Sequence, residues 1–159
     1  MDQGMRHKLR QLVMKHEGYS TKLVQDSDQN ITIGIGRNLT VRGIYPTEVD
    51  IMFNHDADFF YGKLHETFEW YGLLNEARQI ALIDICFIGW HQFLLLEKLI
   101  AALSIGDYDE AACEVIRTLY CKIVSSRANE ISYIIKTGSL DSPHSQIPAC
   151  AMLGALEEF

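Results

Sequence analysis

His16-Glu17-Gly18, then after seven residues Asp26-Ser27-Asp28-Gln29-Asn30-Ile31-Thr32-Ile33-Gly34-Ile35-Gly36-Arg37, is the stretch on which the reading of the fold turns. Upstream, Met5, Leu9, Leu12, Val13 and His16 recur at helical spacing, with Arg6, Lys8, Arg10 and Lys15 on the other side, which predicts an amphipathic helix over residues 5 to 16. Gly18 stands where a helix stops, so Glu17 sits at a helix terminus, the negative end of the macrodipole. From Tyr19 the period becomes two. Leu23 and Val24 lead into the polar cluster 26 to 30, and Ile31, Ile33 and Ile35 alternate with Thr32, Gly34 and Gly36, as in a β-hairpin with a short third strand. Glycines beside Thr32 leave the surface bare, so a bulky ligand can approach the backbone at Gly34. Asp26 also has the character of a turn-initiating residue, Asp28 that of a solvated turn charge, and His16 that of a packed or capping residue. Two carboxyls and a hydroxyl on such a scaffold suit cleavage of a glycosidic bond, one carboxyl protonating the leaving oxygen and the other handling water.

Beyond the hairpin the helical period returns. Pro46 before Thr47-Glu48 marks a helix start, and Val49, Met52, Phe53, Asp56, Phe60 and Leu64 carry one long helix to about residue 65. Glu69-Trp70-Tyr71-Gly72 reads as a turn. Helices are predicted again at about 75 to 90, 93 to 103, 107 to 119 and 125 to 136, with Asp107 as an N-cap and Gly138 as the last stop. Residues 139 to 148 have loop composition, and 149 to 156 form a short apolar stretch. The expected class is α+β, mainly α.

A chain of 159 residues, 48% apolar and 22% charged, fits one compact unit or two small lobes rather than disorder or a string of domains. No stretch approaches the length of an apolar membrane span, and the N-terminus lacks the apolar core of a secretion signal, so cytoplasmic synthesis is expected. Cys86, Cys113, Cys121 and Cys150 have no CxxC spacing and read as buried free thiols. The six histidines form no ligand cluster, so no metal is expected. A net charge of −7 without a basic stripe argues against nucleic-acid binding.

The spacing Glu17-Gly18-(seven residues)-Asp26-(five residues)-Thr32-Ile33-Gly34-Ile35-Gly36 resembles the catalytic signature of the phage-type lysozymes, the endolysin muramidases of glycoside hydrolase family 24. The likeness continues through Phe53-Asn54-His55-Asp56, Asp84-Ile85-Cys86-Phe87, Ala101-Ala102-Leu103 with Gly106-Asp107-Tyr108, and Arg127-Ala128 to Thr137-Gly138, covering about residues 5 to 138. It implies a lysozyme-like two-lobed fold: a hairpin lobe at about 17 to 45, a connecting helix at about 46 to 65 and a helical lobe at about 70 to 138. The tail, 139 to 159, inherits no reading.

By the same resemblance Glu17 is the general acid, and Asp26 and Thr32 hold the attacking water on the far side of the sugar ring, which implies inversion. Gly34, Phe87 and Tyr120 would contact substrate, the two aromatic residues having core packing as their alternative. Arg127 would pair with the acid. Arg37 stands where the family often has histidine, with Asp56 as its carboxylate partner. The implied partner is a peptidoglycan glycan strand, cleaved without a cofactor by a monomer not inserted in the membrane, in host lysis by a phage or prophage and with a holin or another route to the wall. Phe87-Ile88-Gly89 lacks the family's amide, and Tyr120 and Ile123 replace a tryptophan and a polar residue. With the acidic net charge, which disfavours approach to an anionic wall, these departures favour the alternative of a catalytically weak lysozyme-fold binding or regulatory module.

Overall fold

The computed structural model of the chain describes residues 1–119 and 125–141. The chain divides into two compact units, Met1–Asn54 and His55–Phe159. The expected class holds: the described chain is mainly helical, with one small antiparallel sheet.

In the first unit, helix α1 spans Gln3–Glu17. Asp2 caps it, Oδ1 accepting the Met5 N–H at 2.8 Å. Gly18 ends it at φ +78°, its N–H donating to the Met14 carbonyl at 2.9 Å. Three strands follow, β1 (Ser20–Gln25), β2 (Ile31–Gly34) and β3 (Arg37–Asn38), paired antiparallel in the order β1-β2-β3. Val24 lies opposite Thr32, and Thr32 opposite Asn38. The two-residue alternation stops at Gly34, because Gly34 and Gly36 both take φ +68° and turn the chain back into β3. A short helix, α2 (Leu39–Arg42), follows that apolar periodicity does not predict. Asn38 caps it, Oδ1 accepting the Val41 N–H at 3.0 Å.

Helix α3 runs Pro46–Thr67. Glu48 Oε2 accepts the Tyr45 N–H at 2.7 Å, one half of a capping box. Its other oxygen takes Arg37 Nη1 at 3.2 Å. The carboxylate that pairs with Arg37 is therefore Glu48 and not the expected Asp56. Glu48 is already fixed beside the β3 strand by its capping bond, so the pairing requires little further ordering. Arg37 Nε also donates to the Gly43 carbonyl at 2.8 Å, and its guanidinium lies 4.6 Å from the Tyr45 ring centroid.

In the second unit a 3-10 turn at Tyr71–Leu73 occupies the predicted turn, followed by α4 (Glu76–Cys86), α5 (Trp90–Leu94), α6 (Glu97–Ser104), α7 (Tyr108–Leu119) and α8 (Ser125–Thr137). Two predicted helices are cut shorter. The helix expected to reach residue 90 stops at Cys86, where the N–H groups of Phe87, Ile88 and Gly89 bond to carbonyls three residues back, and Gly89 then turns at φ +113°. The helix expected over 93 to 103 is broken at Leu96, with φ −84° and ψ +52°. Asp107 caps α7 as expected, Oδ1 accepting the Glu110 N–H at 3.0 Å.

The buried core lies wholly in this unit among the described residues, with Leu64, Tyr71, Leu82, Phe93, Leu99 and Ile135 at its centre. Each such side chain contributes about 1.5–3 kcal/mol by leaving water. Arg78 and Asn75 fasten α4 to the end of α8: Arg78 Nε donates to the Ile135 carbonyl at 2.8 Å and Asn75 Nδ2 to that of Gly138 at 2.8 Å. Cations at a helix C-terminus satisfy its orphan carbonyls. Among the described residues no helix is long and apolar enough to cross a membrane.

Candidate active site

Glu17 is the last residue of α1, and its side chain is exposed. Gly36, in the turn between β2 and β3, lies against it. A Cβ placed on Gly36 would lie 2.8 Å from Glu17 Cβ and 2.9 Å from both Cγ and Oε2. The turn between β2 and β3 thus lies directly against the Glu17 carboxylate, and only a residue without a side chain fits there. Gly34, singled out from the sequence, has no such neighbour: nothing lies within 4 Å of a Cβ built on it. The open surface read at Gly34 is present, and the close approach belongs to Gly36. That contact joins residues far apart in sequence, so only the glycine spacing hinted at it.

Asp26 begins the loop at the opposite end of β1 from Glu17. Its Oδ1 accepts the N–H groups of Asp28 at 2.9 Å and Asn30 at 2.8 Å, and its Oδ2 accepts Asn30 Nδ2 at 3.1 Å. The Asn30 backbone and side-chain hydrogen bonds, with a smaller one from Asp28, hold the carboxyl below the usual aspartate range. Asp26 is accordingly ionised and is also the turn-former anticipated from its place in the chain. Gln29, at φ +64°, completes the loop.

Thr32 is half-buried on β2, and its hydroxyl donates to the Val24 carbonyl at 3.2 Å. That bond consumes the proton and leaves oxygen lone pairs for an incoming donor. Asp26 and Thr32 thus share the loop end of the hairpin, while Glu17 lies at the other end beside Gly36. Two residues of β2 separate Thr32 from Gly34, about 7 Å of strand. His16, expected to pack or cap, is exposed.

Arg127, on α8, is held by Asp84 of α4. Its Nε meets Asp84 Oδ2 at 3.0 Å and its Nη2 donates to the Asp84 carbonyl at 2.7 Å. Arg127 and Asp84 thus brace two helices of the second unit. Phe87 packs edge-on against Phe60, ring centroids 5.2 Å apart, and is 42% exposed, at the margin of the core rather than within it. Tyr120 and Ile123, with Cys121 and Cys150, lie outside the described residues. Cys86 is buried, and burial pushes its thiol up to about 12.

No protein-family model matches the chain, and no curated protein matches it.

Proposed function

We propose that the chain is a glycoside hydrolase of the muramidase type, cutting the β-1,4 bond between N-acetylmuramic acid and N-acetylglucosamine with Glu17 as general acid. The observation that carries this reading is the bare Gly36 turn against the Glu17 side chain, opposite an ionised Asp26. A glycan laid along the hairpin would meet a proton donor at one end and a water-holding carboxylate and hydroxyl at the other. Glu17 gives its proton to the glycosidic oxygen. Thr32 accepts one hydrogen bond from the water and Asp26 Oδ2, which accepts from Asn30 Nδ2 among the described residues, accepts the other. The water then attacks the anomeric carbon from the face opposite the leaving group, the C–O bond to the protonated leaving oxygen breaks, and the water's proton passes to Asp26 Oδ2.

Asp26 is a weak base, so its main contribution is to orient the water and stabilise the developing positive charge on the sugar. Inversion is the outcome the resemblance implies; it needs carboxyls roughly 6.5–9.5 Å apart, where retention needs about 5–5.5 Å. Glu17 is exposed in the free chain, so the dry surroundings that keep a general acid protonated would come from the bound glycan itself.

The test is release of soluble muropeptides from purified peptidoglycan by the native chain and by Glu17→Gln. Activity in the first and loss in the second, with an unchanged circular dichroism spectrum, supports the reading. Inactivity of the native chain at every pH tried, together with retention on insoluble peptidoglycan, replaces it with the second reading, a lysozyme-fold binding module. The exposure of Glu17 is the observation that favours that alternative.

A further inference from the structure

No described residue of the first unit is buried, and one face of α1 carries exposed apolar side chains. Met5 is 60%, Leu9 44% and Leu12 53% exposed, in a 15-residue helix with no buried position. At the helical period of 3.6 residues, Met5, Leu9, Leu12 and the half-buried Val13 fall on one arc, with His16 among them. Lys8 and Lys15 fall along one edge of that arc, and Arg6 and Arg10 along the other, with Glu17 between them at the end of the helix. The remaining side carries Gln3, His7 and Gln11, with the half-buried Met14 among them. A shallow depression of about 440 Å3 runs along this face, lined by Asp2, Gly4, Met5, Lys8, Leu9 and Leu12.

We propose that α1 is an interfacial helix that docks on an anionic lipid surface, its apolar arc in the acyl boundary and its four cations among the headgroups. An apolar stripe with long cationic side chains along both edges is the pattern such a surface takes: the stems extend over the apolar region while the charges reach the phosphates. Charge selects the occupant. Within α1 four cations face one carboxylate, Glu17, although the chain as a whole carries −7. A second copy of the same face would bring like charges together, whereas anionic headgroups complement both edges. The acidity of the rest of the chain does not cancel this, since repulsion fades beyond a Debye length of about 8 Å at physiological salt. The helix is too polar to span a bilayer, so the docking is peripheral and reversible. It needs no contribution from glycan cleavage.

The experiment is flotation of the full chain with phosphatidylglycerol-containing vesicles and with vesicles of phosphatidylcholine alone, at low and high salt. The expected result is flotation with the anionic vesicles only, weakened by salt. Removing one cation lowers the partition coefficient about fivefold, so Lys8→Gln with Arg10→Gln lowers it by roughly 25-fold. Leu9→Gln with Leu12→Gln, both at exposed positions and with helix content checked by circular dichroism, also abolishes flotation. Glu17→Gln, which removes the one carboxylate of α1, floats at least as well as the native chain, which separates this result from the fate of the hydrolase reading. Absence of flotation overturns the proposal, as does equal flotation with both lipids that ignores the charge variants. So does a concentration-dependent dimer in sedimentation velocity that Leu9→Gln dissolves, because the face would then belong to a second copy.

Discussion

Replacing Gly36 with alanine puts a methyl group where Glu17 already lies. The new Cβ would stand 2.8 Å from Glu17 Cβ and 2.9 Å from Cγ and Oε2. Carbon atoms rest at about 3.5–4.0 Å, so the Glu17 side chain must retreat by roughly 0.7 Å or more. The backbone at φ +68° adds the cost of holding an L-residue in the left-handed region, about 1–2 kcal/mol. Gly34→Ala carries that backbone cost at the same φ of +68° with nothing within 4 Å, so it isolates the steric part. Urea unfolding of the two variants should place Gly36→Ala below Gly34→Ala by about 1–3 kcal/mol, the usual cost of overpacking. In muropeptide release, displacement of the acid in Gly36→Ala should lower kcat/KM on the order of 10- to 100-fold. Equal destabilisation by the two substitutions would show that Glu17 does not press on this turn, and would refute the placement of the acid.

Four further outcomes follow from the same geometry. Asp26 is held below the usual aspartate range by its Asn30 and Asp28 hydrogen bonds, so its stabilisation of the loop is fully present above the unfolded value of about 3.9 and disappears as pH falls through the lower folded value. The amide signals of Asp28 and Asn30 should follow that acid transition, and Asp26→Asn should remove it. Gly138→Ala, at φ +70° with a Cβ only 2.6 Å from Asn75 Nδ2 and 2.7 Å from Arg78 Nη1, should destabilise the helical unit by about 2–4 kcal/mol in thermal unfolding. A double-mutant cycle between Arg127→Met and Asp84→Asn should give a coupling below about 1 kcal/mol, because both side chains are partly exposed. Cys86 should resist maleimide labelling until the chain unfolds, read by mass-spectrometric mapping of the modified peptide.

Three helix ends were legible from single residues. Gly18, Asp107 and Gly138 act through a single φ angle or one side-chain hydrogen bond to the nearest backbone, and each is where the sequence reading puts it. The break at Leu96 was not legible, because the apolar pattern runs through Phe93, Leu94, Leu95 and Leu96 without a glycine or proline. The fate of the α1 stripe was hidden for a different reason. Periodicity reports that a helix has an apolar face, not what covers it, and the stripe proves to be exposed. At the site, the local parts were readable: Asp26 as a turn-former and Glu17 at a helix end. The contact of Gly36 with Glu17, and the choice of Glu48 over Asp56 by Arg37, depend on how the hairpin folds back. Sequence spacing does not carry that information.

The chemical claim is tested most directly by the identity of the new reducing end. Peptidoglycan digested with the native chain is reduced with borohydride, and the released fragments are analysed by mass spectrometry. Hydrolysis of the bond assigned to Glu17 predicts muramic acid reduced to its alditol at the fragment ends, present with the native chain and missing with Glu17→Gln. Fragments ending only in reduced glucosamine, or muramic ends that persist in Glu17→Gln, would contradict it.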